Sequence, residues 1–126
     1  GFAVPDSNDV SSVTQKACDA SDVLFIPTDN TAASCTEAIN NVAEPAGVPI
    51  VAGEEGICKG CGIATLSIDY YELGKTTGAM AAKILTGEAN VSEMPIEYYQ
   101  NPVKKYDVAR CEALGITVPA DYVAIG

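Results

Sequence analysis

Short blocks of apolar residues alternate with longer segments in which apolar residues recur every three or four positions along the chain. Three blocks have the length and composition of buried strands, and each ends in a polar loop. They cover residues 23–27, 48–52 and 63–68. The alternation predicts strand and helix units that follow one another along a sheet.

The segments beside the first two strands have helical spacing. The polar residues 7–9 offer an N-cap for a first helix that ends near Ser21. A second helix covers residues 31–43, because Pro45 cannot continue it without losing a hydrogen bond and clashing with the preceding turn. These two helices are expected to pack on the sheet.

The second half of the chain predicts two further helices. Residues 70–85 have the clearest helical spacing, and Gly87 is their natural C-terminal cap. Residues 104–114 predict another helix, which an extended tail over residues 116–119 follows. Residues 57–62 predict an irregular crossover rather than a regular element.

Strand and helix units joined by short connections predict an α/β fold. We expect a three-layer α/β/α sandwich on a mainly parallel sheet with right-handed crossovers. The chain has 126 residues, which is about the length of one compact domain, and 48% of them are hydrophobic, which is enough to form a buried core.

The charge balance narrows the range of partners. Seventeen acidic residues against seven basic ones give a formal net charge of −10, without a basic stripe. Such a charge repels phosphate backbones and anionic lipid surfaces, so nucleic acid is not an expected partner. No run of roughly 18 apolar residues and no secretion signal occurs in the chain. Because the sequence starts at Gly1, we expect a processed or excised piece of a longer protein.

Acidic residues follow all three predicted strands. Asp29 follows the first, Glu54 and Glu55 follow the second, and Asp69 follows the third. The carboxyl ends of parallel strands share one edge of a sheet, so these carboxylates are expected to line one rim. Carboxylates accept hydrogen bonds, and the rim therefore favours amine, amide or hydroxyl ligands over phosphates. The alternative is that each acid only caps the helix that follows it.

The five cysteines include one CxxC pair, Cys58 and Cys61. A structural zinc site usually needs four ligands in two pairs, and no second pair exists in this chain, which also lacks histidine. A redox pair would sit at a helix start after a strand. We favour a surface loop with free thiols or one local disulfide between the two, and we expect neither a metal nor a cofactor.

Enzymatic motifs are missing from the sequence. Without histidine and without a GxSxG turn, no nucleophile has an evident base. A receiver domain requires a lysine at the end of a late strand, and this chain has Ile68 and Asp69 at that position. A dinucleotide-binding fold requires a glycine-rich turn after its first strand, and the turn over residues 27–31 has no glycine. A metal-dependent enzyme that uses the acidic rim stays open as an alternative.

Four motifs together resemble a known family. FIPTDNT at 25–31, AGVPIVAGEEG at 46–56, SIDYYELG at 67–74 and ALGITVP at 113–119 occur in the family's order. They resemble the substrate-binding protein of ABC importers, in the branch of the type I periplasmic-binding fold that includes tryptophan- and tyrosine-binding members. The resemblance covers nearly the whole chain from Asp9 onward.

The resemblance implies the C-terminal part of a two-lobed receptor. Residues 1–95 would form an α/β lobe, and residues 96–126 a hinge-crossing segment with the C-terminal helix and tail. Such receptors close on a solute and present it to an ABC permease in the membrane. They are extracytoplasmic, either periplasmic or anchored as lipoproteins, so the same is expected here.

The resemblance also implies a binding cleft for a small polar solute, an amino acid and possibly an aromatic one. Asp69 and Asp29 are expected to bind its ammonium group. Asn30 and the Thr31 amide are expected to bind its carboxylate or to make other polar contacts, and Glu54 to bind water or a side-chain donor. The full set of expected ligand residues is Thr28, Asp29, Asn30, Thr31, Glu54, Glu55, Asp69 and Tyr70.

Two other functions share this fold and stay open. The chain could be the ligand-sensing core of a transcription regulator, or a binding protein for a sugar. In the resembled family the last helix packs on the other lobe, so its apolar residues need another cover here. We therefore expect the tail to fold back on its own sheet or to exchange with a second copy in a dimer. The residues concerned are Val108, Cys111, Leu114 and Ile116.

Overall fold

The structure, a computed structural model, describes all residues from Gly1 to Gly126. The chain forms two compact units. The first contains Gly1–Ser67 together with Val103–Gly126, and the second is the segment Ile68–Pro102.

The first unit contains the whole sheet. Its helices are α1 (Val10–Asp19), α2 (Asn30–Ser34), α3 (Thr36–Ala43), α4 (Glu55–Cys61) and α6 (Val108–Ala113), with a short 3-10 turn, Ser7–Asp9, before α1. Its strands are β1 (Leu24–Ile26), β2 (Ile50–Ala52), β3 (Ala64–Ser67), β4 (Val103–Tyr106) and β5 (Val123–Ala124). The predicted strands are confirmed, each somewhat shorter than its apolar block.

The five strands lie in the order β1-β2-β3-β4-β5. All neighbouring strands are parallel except β3 and β4, which are antiparallel. The register pairs Ala52 with Thr65, and Thr65 with Lys105. The predicted fold class, an α/β fold on a mainly parallel sheet with flanking helices, is confirmed.

One face of the sheet carries the core. Every second residue of β2 and β3 points to this face. These residues are buried, because α4 packs on both strands and α3 packs on α4. The core residues are Val10, Cys18, Ile39, Ala43, Ile50, Ala52, Ile57, Cys58 and Cys61. On the opposite face Phe25 and Leu66 are exposed. An apolar groove, lined by Phe2, Val13, Ala17 and Phe25 among others, runs between α1 and β1.

The single helix predicted over residues 31–43 is wrong in one respect, because it breaks at Cys35. Cys35 has φ −122° and ψ 22°, outside the helical region, so α2 ends before it and α3 begins after it. The Ser34 hydroxyl donates a 2.8 Å hydrogen bond to the Thr31 carbonyl. Serine side chains that bond the backbone in this way compete with helix continuation.

The irregular crossover predicted over residues 57–62 is also wrong. Residues 57–61 belong to α4, which Glu54 caps by accepting hydrogen bonds from the backbone amides of Gly56 and Ile57. Its apolar side of Ile57, Cys58 and Cys61 is buried in the core. Two glycines lower the helix propensity of this segment, so the sequence does not indicate a helix, and tertiary packing stabilises it instead.

The helix predicted over residues 104–114 is correct only in its second half. The first residues form β4, which pairs with β3 along its whole length. Asp107 then begins α6 by accepting a 2.9 Å hydrogen bond from the Arg110 amide. Gly115, with φ 65°, follows the helix in the left-handed conformation of a C-terminal cap glycine.

The C-terminal tail folds back on its own sheet, which confirms the first of the two expected arrangements. β5 pairs with β4 in parallel, and the Ile125 amide donates a 2.9 Å hydrogen bond to the Tyr106 carbonyl. Ile125 also packs against the core. The Lys59 ammonium donates a 3.2 Å hydrogen bond to the Gly126 carbonyl and holds the end of the chain.

The second unit contains one long helix, α5 (Tyr70–Leu85). It has the predicted bounds, and Gly87 follows it with φ 76°, the left-handed conformation expected of a C-terminal cap glycine. None of its residues is buried. No helix in either unit combines the length and the apolar character that crossing a membrane requires.

Candidate functional site

The loops that follow β1 and β2 lie side by side at the carboxyl edge of the sheet. The Gly53 amide donates a 2.8 Å hydrogen bond to the Ile26 carbonyl. The Thr28 hydroxyl donates a 3.3 Å hydrogen bond to the Gly53 carbonyl. The structure therefore brings the predicted ligand residues after β1 next to those after β2. We call these two adjoining loops, residues 27–31 and 53–55, the strand-end site.

Gly53 allows this close approach of the loops. A Cβ atom at this position would lie 2.6 Å from the Thr28 backbone nitrogen, closer than real Cβ contacts. The obstructing atom belongs to the backbone, which cannot rotate away as a side chain can. Only glycine therefore fits between the two loops without moving them.

Replacing Gly53 with alanine is expected to lower the free energy of unfolding by about 1–3 kcal/mol, the usual cost of overpacking. Urea denaturation measures this loss. Gly74→Ala in α5 is the matched control, because a Cβ there has no atom within 4 Å and helix propensity favours alanine. If the two variants had equal stabilities, the close approach at Gly53 would carry no energetic weight.

Three of the four acids predicted for the rim cap helices. Asp29 accepts a 2.8 Å hydrogen bond from the Ala32 amide, and Asp69 accepts bonds of 2.9 and 3.2 Å from the Tyr71 and Glu72 amides. Glu54 caps α4. Helix capping, the alternative role considered for these acids, is therefore present in the structure.

Capping uses the three carboxylates to different extents. The cap bonds of Asp29 and of Asp69 end on Oδ1 alone, whereas Glu54 accepts through both of its oxygens. Capping leaves Oδ2 of the two aspartates for another donor. Glu54, with both oxygens engaged, has the least capacity for a ligand.

Glu55 has a partner that the sequence did not indicate. Its Oε2 lies 2.6 Å from the Lys105 ammonium, and the two side chains are 39% and 28% exposed. Lys105 is on β4, fifty residues along the chain, so only the antiparallel register of β4 on β3 brings it to this edge. The rim therefore carries a positive charge that was not expected there.

The remaining predicted residues lie in two places. Asn30 is exposed and Thr31 half-buried in the first turn of α2, beside Asp29 in the first unit. Asp69 and Tyr70 begin α5 in the second unit, and the Tyr70 side chain is exposed. No group of three or more cysteine, aspartate or glutamate side chains is placed to hold a metal ion.

We expected the CxxC cysteines in a surface loop, and this expectation is wrong. Cys58 and Cys61 lie on α4, are buried in the core and are free thiols rather than a disulfide. Burial raises the pKa of the Cys58 thiol from its ordinary 9.0 to about 12, and the charge of Asp107 adds to the rise. Burial likewise raises the pKa of Cys61 to about 11. Both thiols are thus protonated at neutral pH and serve as core residues.

We expect one fast and four slow thiols when the native protein reacts with a thiol reagent at pH 8. Cys35 is the half-exposed one, whereas Cys18, Cys58, Cys61 and Cys111 are buried and react only after the chain opens. Absorbance of the released chromophore follows the reaction, and concentrated urea should make all five equally fast. Fast native labelling of Cys58 or Cys61 would contradict the buried helix.

Comparison with known proteins supplies the family. Residues 1–124 match the model of the family described as ABC transporter substrate binding protein. The chain belongs to this family. It is a family of binding proteins rather than of enzymes, and its members are extracytoplasmic. The resemblance that four motifs indicated is therefore confirmed.

Individual relatives agree with the family. A tyrosine-binding protein of Clostridioides difficile strain R20291 is 33% identical over 90 residues, which are 71% of this chain and 26% of that protein. A substrate-binding protein with adhesive properties from Clostridium difficile, solved ligand-free and open, is 31% identical with a TM-score of 0.72, over 98% of this chain and 43% of that one.

Two further solved structures have the same fold. An ABC domain from Streptococcus pneumonia in complex with L-Trp is 28% identical with a TM-score of 0.82, over 94% of this chain and 40% of that one. A conserved domain protein of Vibrio cholerae is 30% identical with a TM-score of 0.83, over 96% of this chain and 42% of that one. The chain thus spans less than half the length of each of these relatives.

Proposed function

We propose that this chain is part of an extracytoplasmic substrate-binding protein that delivers a small polar solute, an amino acid, to an ABC permease. The observation that carries the proposal is the strand-end site, where Asp29 uses only one carboxylate oxygen for capping. The other oxygen is an acceptor for a solute ammonium. The tyrosine-binding relative and the relative in complex with L-Trp favour an aromatic amino acid.

Seven of the eight predicted residues take graded roles in this proposal, and the eighth, Glu55, pairs with Lys105. Asp29 binds the ammonium group, and Thr28, Asn30 and Thr31 supply polar contacts around it. Glu54 has the smallest part, because the amides of α4 engage both of its oxygens. Asp69 and Tyr70 are proposed solute contacts of the second unit.

We further propose a two-lobed receptor that closes on its solute. The longer relatives support a second lobe, and closure driven by solute contacts is a common way in which such binding is transmitted to a partner. The receptor is proposed to be periplasmic or lipoprotein-anchored, and to catalyse no reaction. A regulator core, a sugar-binding protein and a metal-dependent enzyme are the competing functions.

A thermal-shift screen of the full-length protein that contains this chain tests the proposal. The panel contains the twenty amino acids, a set of sugars, and magnesium and manganese chloride. Binding stabilises the native state by mass action, so one or a few L-amino acids should raise the Tm by several degrees. A response to sugars alone would replace the amino-acid assignment, and a response to the metals alone would favour the enzyme.

A further inference from the structure

Lys105 is held beside the strand-end site by a single carboxylate. Its side chain turns to the same sheet face as its register partner Thr65, which is buried, and its stem therefore runs along the helix-covered side of the sheet. The ammonium emerges at the first turn of α4 and meets Glu55 at 2.6 Å. The neighbouring Lys104 turns to the other face and pairs with Asp121 in a more exposed position.

The other basic groups of the first unit that have partners are engaged elsewhere. Arg110 donates to Asn40, Asp107 and two backbone carbonyls, and Lys59 donates to the end of the chain. Lys105 is thus the basic side chain paired with a residue of the strand-end site. An α-amino acid carries one positive and one negative group, and the acids of this site suit only the positive one.

We propose that Lys105 recognises a negatively charged group of the solute, and that Glu55 holds the ammonium in place until the solute arrives. For an amino acid the group is the α-carboxylate, so the inference rests on the proposed function. A solute carboxylate replaces Glu55 on the same ammonium, and one charge-assisted hydrogen bond exchanges for another. Glu55 is 39% exposed, so water can solvate it once it is released.

Glu55 and Lys105 should therefore affect binding in opposite directions. Removing the lysine removes the solute's partner, whereas neutralising Glu55 removes a competitor for the lysine. If the pair merely tied β4 to α4, both changes would loosen the same contact and weaken binding together. The opposite signs distinguish recognition from a structural role.

Calorimetric titration of the full-length protein with L-tryptophan and with tryptamine, which lacks the carboxylate, tests this inference. We expect Lys105→Met to weaken L-tryptophan binding about tenfold or more, as loss of a charge-assisted hydrogen bond does, without changing tryptamine binding. Glu55→Gln should tighten L-tryptophan binding about threefold to tenfold, since it leaves the lysine unpaired for the solute. Lys104→Met is the matched control and should bind as the wild type does.

Other outcomes overturn the inference. Weaker L-tryptophan binding in both Lys105→Met and Glu55→Gln would make the pair structural. Equal binding of tryptamine and L-tryptophan by the wild type would overturn the role of Lys105 and leave an amine receptor standing. If neither compound bound the wild type, the aromatic amino-acid function and this inference would fail together. Should Lys105→Met not fold, the sign of the isosteric Glu55→Gln effect decides.

Discussion

Replacing Arg110 with alanine is expected to lower the free energy of unfolding by about 2–4 kcal/mol, because it leaves several half-buried polar groups without their charged donor. The guanidinium donates to Asn40 Oδ1 at 2.8 Å, to Asp107 Oδ2 at 2.9 Å and to the carbonyls of Lys59 and Gly60 at 3.0 and 2.7 Å. It therefore joins α6 to α3 and to the end of α4.

Urea denaturation followed by circular dichroism measures the Arg110→Ala effect. Lys104→Ala is the matched control, because it removes an ion pair whose side chains are 48% and 58% exposed. Solvent screens such surface pairs and they contribute little to stability, so the control should unfold close to the wild type. A similar small loss for Arg110→Ala would show that its contacts do not hold the three helices together.

Asp29→Asn is expected to weaken amino-acid binding about 10- to 100-fold while it changes stability little, because asparagine caps helices about as well as aspartate. The variant keeps the oxygen that accepts from the Ala32 amide and removes the negative charge. Calorimetric titration gives the affinity and a thermal melt gives the stability. The two readouts separate the ligand role of Asp29 from its capping role.

Glu37→Gln is the control for net charge. It neutralises one exposed acid on α3 that is outside the strand-end site, and should leave the affinity unchanged. Wild-type affinity in Asp29→Asn would restrict Asp29 to capping. Equal weakening in both variants would instead indicate a general electrostatic effect of the acidic surface.

β1, β2 and β3 could be predicted because each is a short apolar block whose pattern agrees with its burial. α5 could be predicted from its regular helical spacing, since it begins at a capping aspartate and ends before a glycine. α4 was missed because its glycines lower the helix propensity of the segment. The reason for one of these glycines is a tertiary contact, which the local sequence does not show. A Cβ at Gly60 would lie 2.2 Å from Thr36 Oγ1, so this glycine lets α4 pack on α3.

β4 was missed for a similar physical reason. Its sequence, Val-Lys-Lys-Tyr, has no apolar alternation, and its charges are satisfied by Asp121 and Glu55, which are distant in sequence. The acids of the strand-end site could be predicted from their positions after the strands. The unequal use of their oxygens and the presence of Lys105 depend on backbone amides and on strand register, which the sequence pattern does not contain.

Solute-induced chemical-shift changes in the ¹⁵N-labelled full-length protein test the central claim most directly, since they report where the solute binds. With saturating L-tryptophan, the largest changes are predicted at the amides of Thr28, Asp29, Asn30 and Gly53, the strand-end site. Unchanged signals there, with large changes confined to Val13, Ala17 and Phe25, would contradict the account and move the binding site into the apolar groove between α1 and β1, which Asp29 borders at one end.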